Sequence, residues 1–178
     1  MTKRKKGNIL SIKVMYYLKD YTQVGTMNKL DVLDDKHFIF GAIFMIANKL
    51  DTHLDRELNP FGLTAKQWFL TIVIDMLFDE SPTIKQVARA MGSSHQNVKQ
   101  VALKLEQKGL LTMEKDIKDG RATRLKFTEE SQPFWGQTQQ KGHHFMEAVF
   151  KSIDKEELAA TRNTLKKIWE NIIELEIN

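Results

Sequence analysis

Between positions 93 and 100 stand two hydroxyls, Ser93 and Ser94, the imidazole of His95, three amides, Gln96, Asn97 and Gln100, and one ammonium, Lys99. Side-chain amides can form paired hydrogen bonds with adenine edges, and a lysine reaches guanine or phosphate. Serine hydroxyls beside free helix-terminal amides suit phosphate oxygens. Farther along, Asp116, Lys118, Asp119, Gly120 and Arg121 gather at a turn signal, and Arg124 and Lys126 follow at a spacing that puts both on one face of a strand. An arginine at such an apex can enter a narrow minor groove, where negative potential concentrates. Arg124 and Lys126 would line up with phosphates. This is the chemistry of recognition rather than of bond breaking. Neighbouring Ser94 and His95 diverge on a helix and make no nucleophile-base pair. Adjacent His143 and His144 point about 100° apart and cannot share an ion. Neither a catalytic residue, a metal site nor a cofactor is expected.

Helices and one hairpin must position these groups. Thr83 follows Pro82 and suits the cap of a first short helix, with Ile84, Val87, Ala88 and Met91 on one face. Gly92 supplies the turn, and its left-handed freedom brings a second helix steeply across the first. Val98, Val101, Ala102 and Leu105 then form the buried stripe of that second helix, which turns the polar residues of 94–100 outward. The start of a recognition helix is the part that meets base edges.

Around this unit the periodicity is helical. Ile43, Ala47, Leu50, Leu54 and Leu58 make an apolar stripe over 36–58, and Thr64 suits the cap of a helix carrying Trp68, Phe69, Ile72, Val73, Met76 and Leu77. Phe40, Phe44, Trp68 and Ile72 could line a pocket, although aromatic stripes more often form core. Thr128 is expected to cap a helix reaching about Phe150, and Asp154 a final one with Glu156 and Glu157 in its first turn. Leu158, Leu165, Ile168, Ile172 and Leu175 recur near a seven-residue period, a stripe that requires a partner helix. The fold class expected is mostly α with a small β-hairpin wing (α+β).

Charge agrees with the motif. The chain of 178 residues carries a formal +4, yet segment 84–128 holds ten basic against four acidic side chains, a net +6. The first nineteen residues add six bases and no acid, so the remainder is net −8. Such a distribution marks an electrostatic footprint for nucleic acid. Lys3, Arg4, Lys5 and Lys6 form a tail or a phosphate-tracking arm, and Leu10, Val14, Tyr17, Tyr21 and Val24 an added amphipathic helix, with Met27 as a rival first residue. The chain has no cysteine, which removes disulfides and thiolate sites. No run reaches the roughly 18 apolar residues of a membrane span, so a cytoplasmic location is expected.

The residues resemble those of MarR-type winged helix-turn-helix transcriptional regulators over about four fifths of the chain. The resemblance rests on Gly62-Leu63-Thr64 with Gln67 and Trp68, on Leu105 to Leu111, on Asp119-Gly120-Arg121-Ala122, and on Phe127-Thr128-Glu129-Glu130. It implies a homodimer on a palindromic double-stranded operator and a small-molecule effector between dimerisation helices and head. It also implies an Asp119–Arg121 pair with the arginine on DNA. Gln100 stands where such proteins commonly carry arginine, and Met113 and Glu114 where they carry bases. The implied organisation is a basic extension over 1–35, a helical dimerisation region over 36–62 and 129–178, and a winged helix-turn-helix domain over 63–128. The function expected is a ligand-responsive repressor; the alternative is a winged-helix adaptor that binds protein.

Overall fold

The structure, a computed structural model, describes residues 30–117 and 119–177. The basic extension over 1–29 and Lys118 lie outside the described residues. The chain divides into two compact units, Met1–His53 and Leu54–Asn178.

In the first unit a turn closes by Leu33 N–H to Leu30 O (2.8 Å) and leads into helix α1, Asp35–Leu58. Asp34 starts that helix: its Oδ1 accepts from Lys36 N (3.1 Å) and His37 N (3.3 Å), and Oδ2 meets His37 Nδ1 at 2.5 Å. The His37 hydrogen bond holds the Asp34 carboxyl below the usual carboxylate range. Phe40 and Phe44 pair edge to face at 5.2 Å. Both remain exposed, as do Ile39, Ile43 and Ile46.

The second unit holds the core. After a 3-10 turn at Asn59–Phe61 come α2 (Ala65–Leu77), α3 (Ile84–Ala90) and α4 (His95–Glu106). Two of these helices open on reciprocal capping boxes. Thr64 accepts from Gln67 N while Gln67 Oε1 accepts from Thr64 N, and Thr83 and Gln86 repeat the arrangement. Each box satisfies backbone donors that helix geometry leaves unpaired. Gly92 takes φ +57 between α3 and α4, the left-handed turn a side chain resists.

Strands β1 (Leu111–Lys115) and β2 (Thr123–Phe127) pair antiparallel with Met113 opposite Leu125 and Glu114 opposite Arg124. The segment before α3 joins them through a bridge from Thr83 to Arg124 and a bond from Leu125 N to Pro82 O (2.9 Å). Leu58, Leu70, Ile84, Val87, Val98, Ala102, Leu105, Leu111 and Leu125 form a continuous buried cluster under α2, α3, α4 and the hairpin. Burying each such side chain is worth about 1.5–3 kcal/mol.

The end of the wing differs from expectation. Thr128 lends no side-chain cap to the 3-10 turn Glu129–Ser131; its hydroxyl donates instead to Gly109 O (2.7 Å) and ties the wing's exit to the end of α4. Helix α5 (Gln132–Val149) starts after that turn with a proline in its first turn, where the missing N–H costs nothing. Helix α6 (Lys155–Ile177) is capped by Asp154, whose Oδ1 accepts from Glu156 N and Glu157 N, both at 2.8 Å. Of the stripe read along α6, Leu158, Leu165, Ile172 and Leu175 are exposed and Ile168 is half-buried, and the exposed Trp169 joins them.

Candidate nucleic-acid interface

Helix α4 buries Val98, Ala102 and Leu105 and so fixes which of its residues face outward. Ser94 is its N-cap and accepts from Asn97 N (3.1 Å), while Asn97 Nδ2 donates to Ser93 Oγ (3.0 Å). These two bonds stiffen the first turn. Ser94, His95, Gln96, Asn97, Lys99 and Gln100 are all exposed and Ser93 is half-buried. Neither Gln96, Lys99 nor Gln100 bonds to another described residue through its side chain, so their donors and acceptors remain available. Seven of the expected site residues thus lie on one short helix start. In that setting the first-turn amides and the positive helix end also favour a phosphate oxygen.

The wing is built on an ion pair that charge counting does not reveal. Asp116, only 5% exposed at its side chain, binds Arg124 Nε through Oδ2, while Arg124 Nη1 donates to Ser81 O. Asp116 Oδ1 also accepts from Asp119 N (2.8 Å), and Asp116 N donates to Ala122 O (3.0 Å). The buried carboxylate thus holds Asp119 and Arg124, and Arg124 in turn fastens β2 to the segment before α3. Arg124 is drawn into this clamp and half-buried, whereas Lys126, two positions on along β2, is exposed.

The expected tip pair is also rearranged. Asp119 Oδ1 accepts from the backbone N–H of Arg121 (3.1 Å), not from its guanidinium, and the wing's side-chain ion pair falls instead between Asp116 and Arg124. Spacing explains the change. A carboxylate two residues before an amide closes a local turn on itself, which leaves the Arg121 side chain exposed and uncommitted. Gly120 takes no positive φ, and Ala122 N closes the turn on Asp119 O (2.8 Å).

Two further ties hold α4 in place. Glu106 accepts from Met113 N (2.8 Å). Lys108 Nζ donates to Gly62 O and to Gln67 Oε1 (3.0 Å), reaching across to the start of α2. Loss of water around Lys108, and then the Lys104 charge, lower its pKa below the ordinary lysine value. Lys108 counts among the bases of 84–128, yet it serves the fold. Among the described residues no helix is long and apolar enough to cross a membrane.

A cavity of about 240 Å³ lies beside this head, lined by Trp68, Thr71, Ile72 and Asp75 of α2, Phe127 of β2, and Ser131, Gln132, Trp135, Gly136, Thr138 and Gln139 at the start of α5. Trp68 and Ile72 stand in the cavity wall, the alternative to the core role that such stripes more often have, whereas Phe40 and Phe44 belong to the first unit. The α2–α5 approach requires Gly142: a Cβ there would stand 2.6 Å from Trp68 Cζ2. Trp135 is fixed by Nε1–H to Ser131 Oγ (2.8 Å) and by edge-to-face contacts with Phe127 (5.7 Å) and Phe134 (5.1 Å).

No family model matches the sequence. Solved structures do match the fold. A MarR transcriptional regulator from Methanosarcina mazei superposes with TM-score 0.68 at 19% identity, covering 78% of this chain and 99% of its own. The MepR–DNA complex of S. aureus gives 0.67 at 18% identity over 75% of this chain and 97% of that one. CouR of Rhodococcus jostii, bound to p-coumaroyl-CoA, gives 0.64 at 21% identity, covering 76% and 92%. The two-stranded wing, the α3–turn–α4 pair and the long flanking helices are thus the winged-helix fold of the MarR-type transcriptional regulators.

Proposed function

We propose that the chain is a sequence-specific reader of double-stranded DNA that acts as a homodimer on a palindromic operator and regulates transcription, as a repressor, in response to a small molecule. The observation that carries this reading is the α4 start, where Gln96, Lys99 and Gln100 stand exposed with no side-chain bond to another described residue. Gln96 and Gln100 read bases, Lys99 reaches guanine or phosphate, and Ser93, Ser94, His95 and Asn97 frame the contact. Arg121 enters the minor groove, Lys126 binds phosphate, and Lys118, outside the described residues, adds a base at the wing. Asp119 and Arg124 act by shaping the wing. The DNA in the MepR complex and the acyl-CoA ligand of CouR support the two halves of the proposal by likeness of fold.

Dimerisation is supported by apolar surface. Leu158, Leu165, Trp169, Ile172 and Leu175 along α6 are exposed, and burial of each is worth up to about 1.5–3 kcal/mol. Counted from two copies, that offsets an association cost of roughly 4–15 kcal/mol. Segments 36–62 and 129–178 would form the dimer region and 63–128 the head, which places two recognition helices about 34 Å apart on the duplex.

A labelled duplex from the chain's own promoter tests the assignment. Binding is expected to fall steeply with salt. Arg121→Ala weakens it across all sequences by about 1–3 kcal/mol, whereas Gln96→Ala mainly relaxes preference at one base pair. Wild-type affinity and preference in the double variant would overturn the proposal.

A further inference from the structure

We propose that the cavity between α2 and α5 selects a small aromatic cation, a ring with a short ammonium-bearing arm, in preference to an aromatic anion. The inference rests on the effector reading above and gives that effector a chemical class.

Polar accounting carries the argument. The cavity's hydroxyl hydrogens are already used within the chain. Thr71 Oγ1 donates to Trp68 O (2.7 Å), Thr138 Oγ1 to Trp135 O (3.0 Å) and Ser131 Oγ to Thr128 O (2.7 Å). The Trp135 indole N–H is held by Ser131 Oγ. Apart from the amides of Gln132 and Gln139, the lining side chains therefore offer acceptors and almost no donors. The one formal charge in the lining is that of the exposed Asp75, and no lysine, arginine or histidine stands in that lining. A carboxylate or phenolate ligand would meet like charge and find few hydrogen-bond donors. An ammonium finds Asp75, hydroxyl lone pairs and the indoles of Trp68 and Trp135, aromatic rings that attract cations through their quadrupole.

Size and wall chemistry agree. A volume of about 240 Å³ is below that of most drug-sized sites and suits one ring with a short arm. Gly136 lies in the wall with nothing within 4 Å of the position its Cβ would take. Glycine is disfavoured inside a helix, and a larger side chain introduced at this wall position meets no clash.

The test compares three probes of one shape on the full chain: benzylammonium, benzyl alcohol and benzoate. Two of the three tryptophans line the cavity, so intrinsic fluorescence reports occupancy. Benzylammonium is expected to bind about five- to tenfold more tightly than benzoate at low salt, with the alcohol between. Asp75→Asn should bring the three within about twofold of one another. Gly136→Leu should abolish the response to all three while thermal melting remains cooperative. Benzoate binding as tightly as benzylammonium, an unchanged order in Asp75→Asn, or no saturable response to any probe would overturn the proposal. The order is read without DNA, so failure of duplex recognition does not alter it.

Discussion

Helices α4 and α6 solve the same problem in opposite ways. Both carry an apolar stripe. Helix α4, twelve residues long, buries Val98, Ala102 and Leu105 and turns a wholly polar first turn outward. Helix α6, with 23 residues, buries no side chain among 155–175 and exposes Leu158, Leu165, Trp169, Ile172 and Leu175. The head buries its stripe among the described residues; the long helix does not. The proposed dimeric reading of a two-fold site would need this division, because a head that required its partner to fold could not be positioned by that partner as a rigid body.

The largest expected effect follows from removing the apolar character of α6. Leu165→Asp combined with Ile172→Asp should convert a species of twice 20.7 kDa into one of 20.7 kDa in light scattering. Duplex affinity should fall by about 10²-fold or more as the second half-site ceases to be held in place. The head should keep its fold, seen as unchanged wing and α4 resonances. A wild-type chain that already scatters as a monomer would break the contrast.

A middle-sized effect separates the wing's interior from its tip. Asp116→Ala removes a buried carboxylate, leaves Arg124 without its ion partner and unties the loop, so a stability loss of about 1–3 kcal/mol is expected in urea melts. Arg121→Ala, at an exposed residue, should shift stability by less than about 0.5 kcal/mol while weakening DNA binding. Equal stability losses would show that the tip, too, is part of the clamp.

What could be read in the sequence was local. The Thr64 and Thr83 caps, the Gly92 turn and the Asp154 cap each depend on a group two or three residues from its partner, so spacing alone reveals them. The buried stripe of α4 follows from its period. Asp116–Arg124 and Lys108–Gly62 are different, since a tally of lysines and arginines treats every cation as available. Arg124 instead reaches Ser81, 43 residues away in sequence, and Lys108 reaches Gly62, 46 away. Thr128 looked like a cap because its hydroxyl precedes a helix, but in the fold that hydroxyl donates to Gly109 O, on the returning chain, and accepts from no helix-start amide. The far wall of the cavity escaped for the same reason: Trp135 comes to Trp68 only through the α2–α5 approach at Gly142.

The smallest effect probes the tie between α4 and α2. Burial, then the charge of Lys104, lower the Lys108 pKa in the folded chain below the ordinary 10.5. Between the folded value and 10.5 the unfolded chain therefore binds more protons, and stability must rise with pH across that window. The contribution is fully present above 10.5 and is lost as pH falls through the folded value. Subtracting the stability of Lys108→Met from that of the wild type isolates this titration from all others. The difference should grow from neutral pH toward 10.5, and Lys104→Gln should flatten the growth. A difference that shrinks with pH would mean that the bonds to Gly62 O and Gln67 Oε1 hold the proton more strongly than burial expels it. The tie would then act as a charged anchor for the recognition helix, and the self-sufficiency of the head would depend on it.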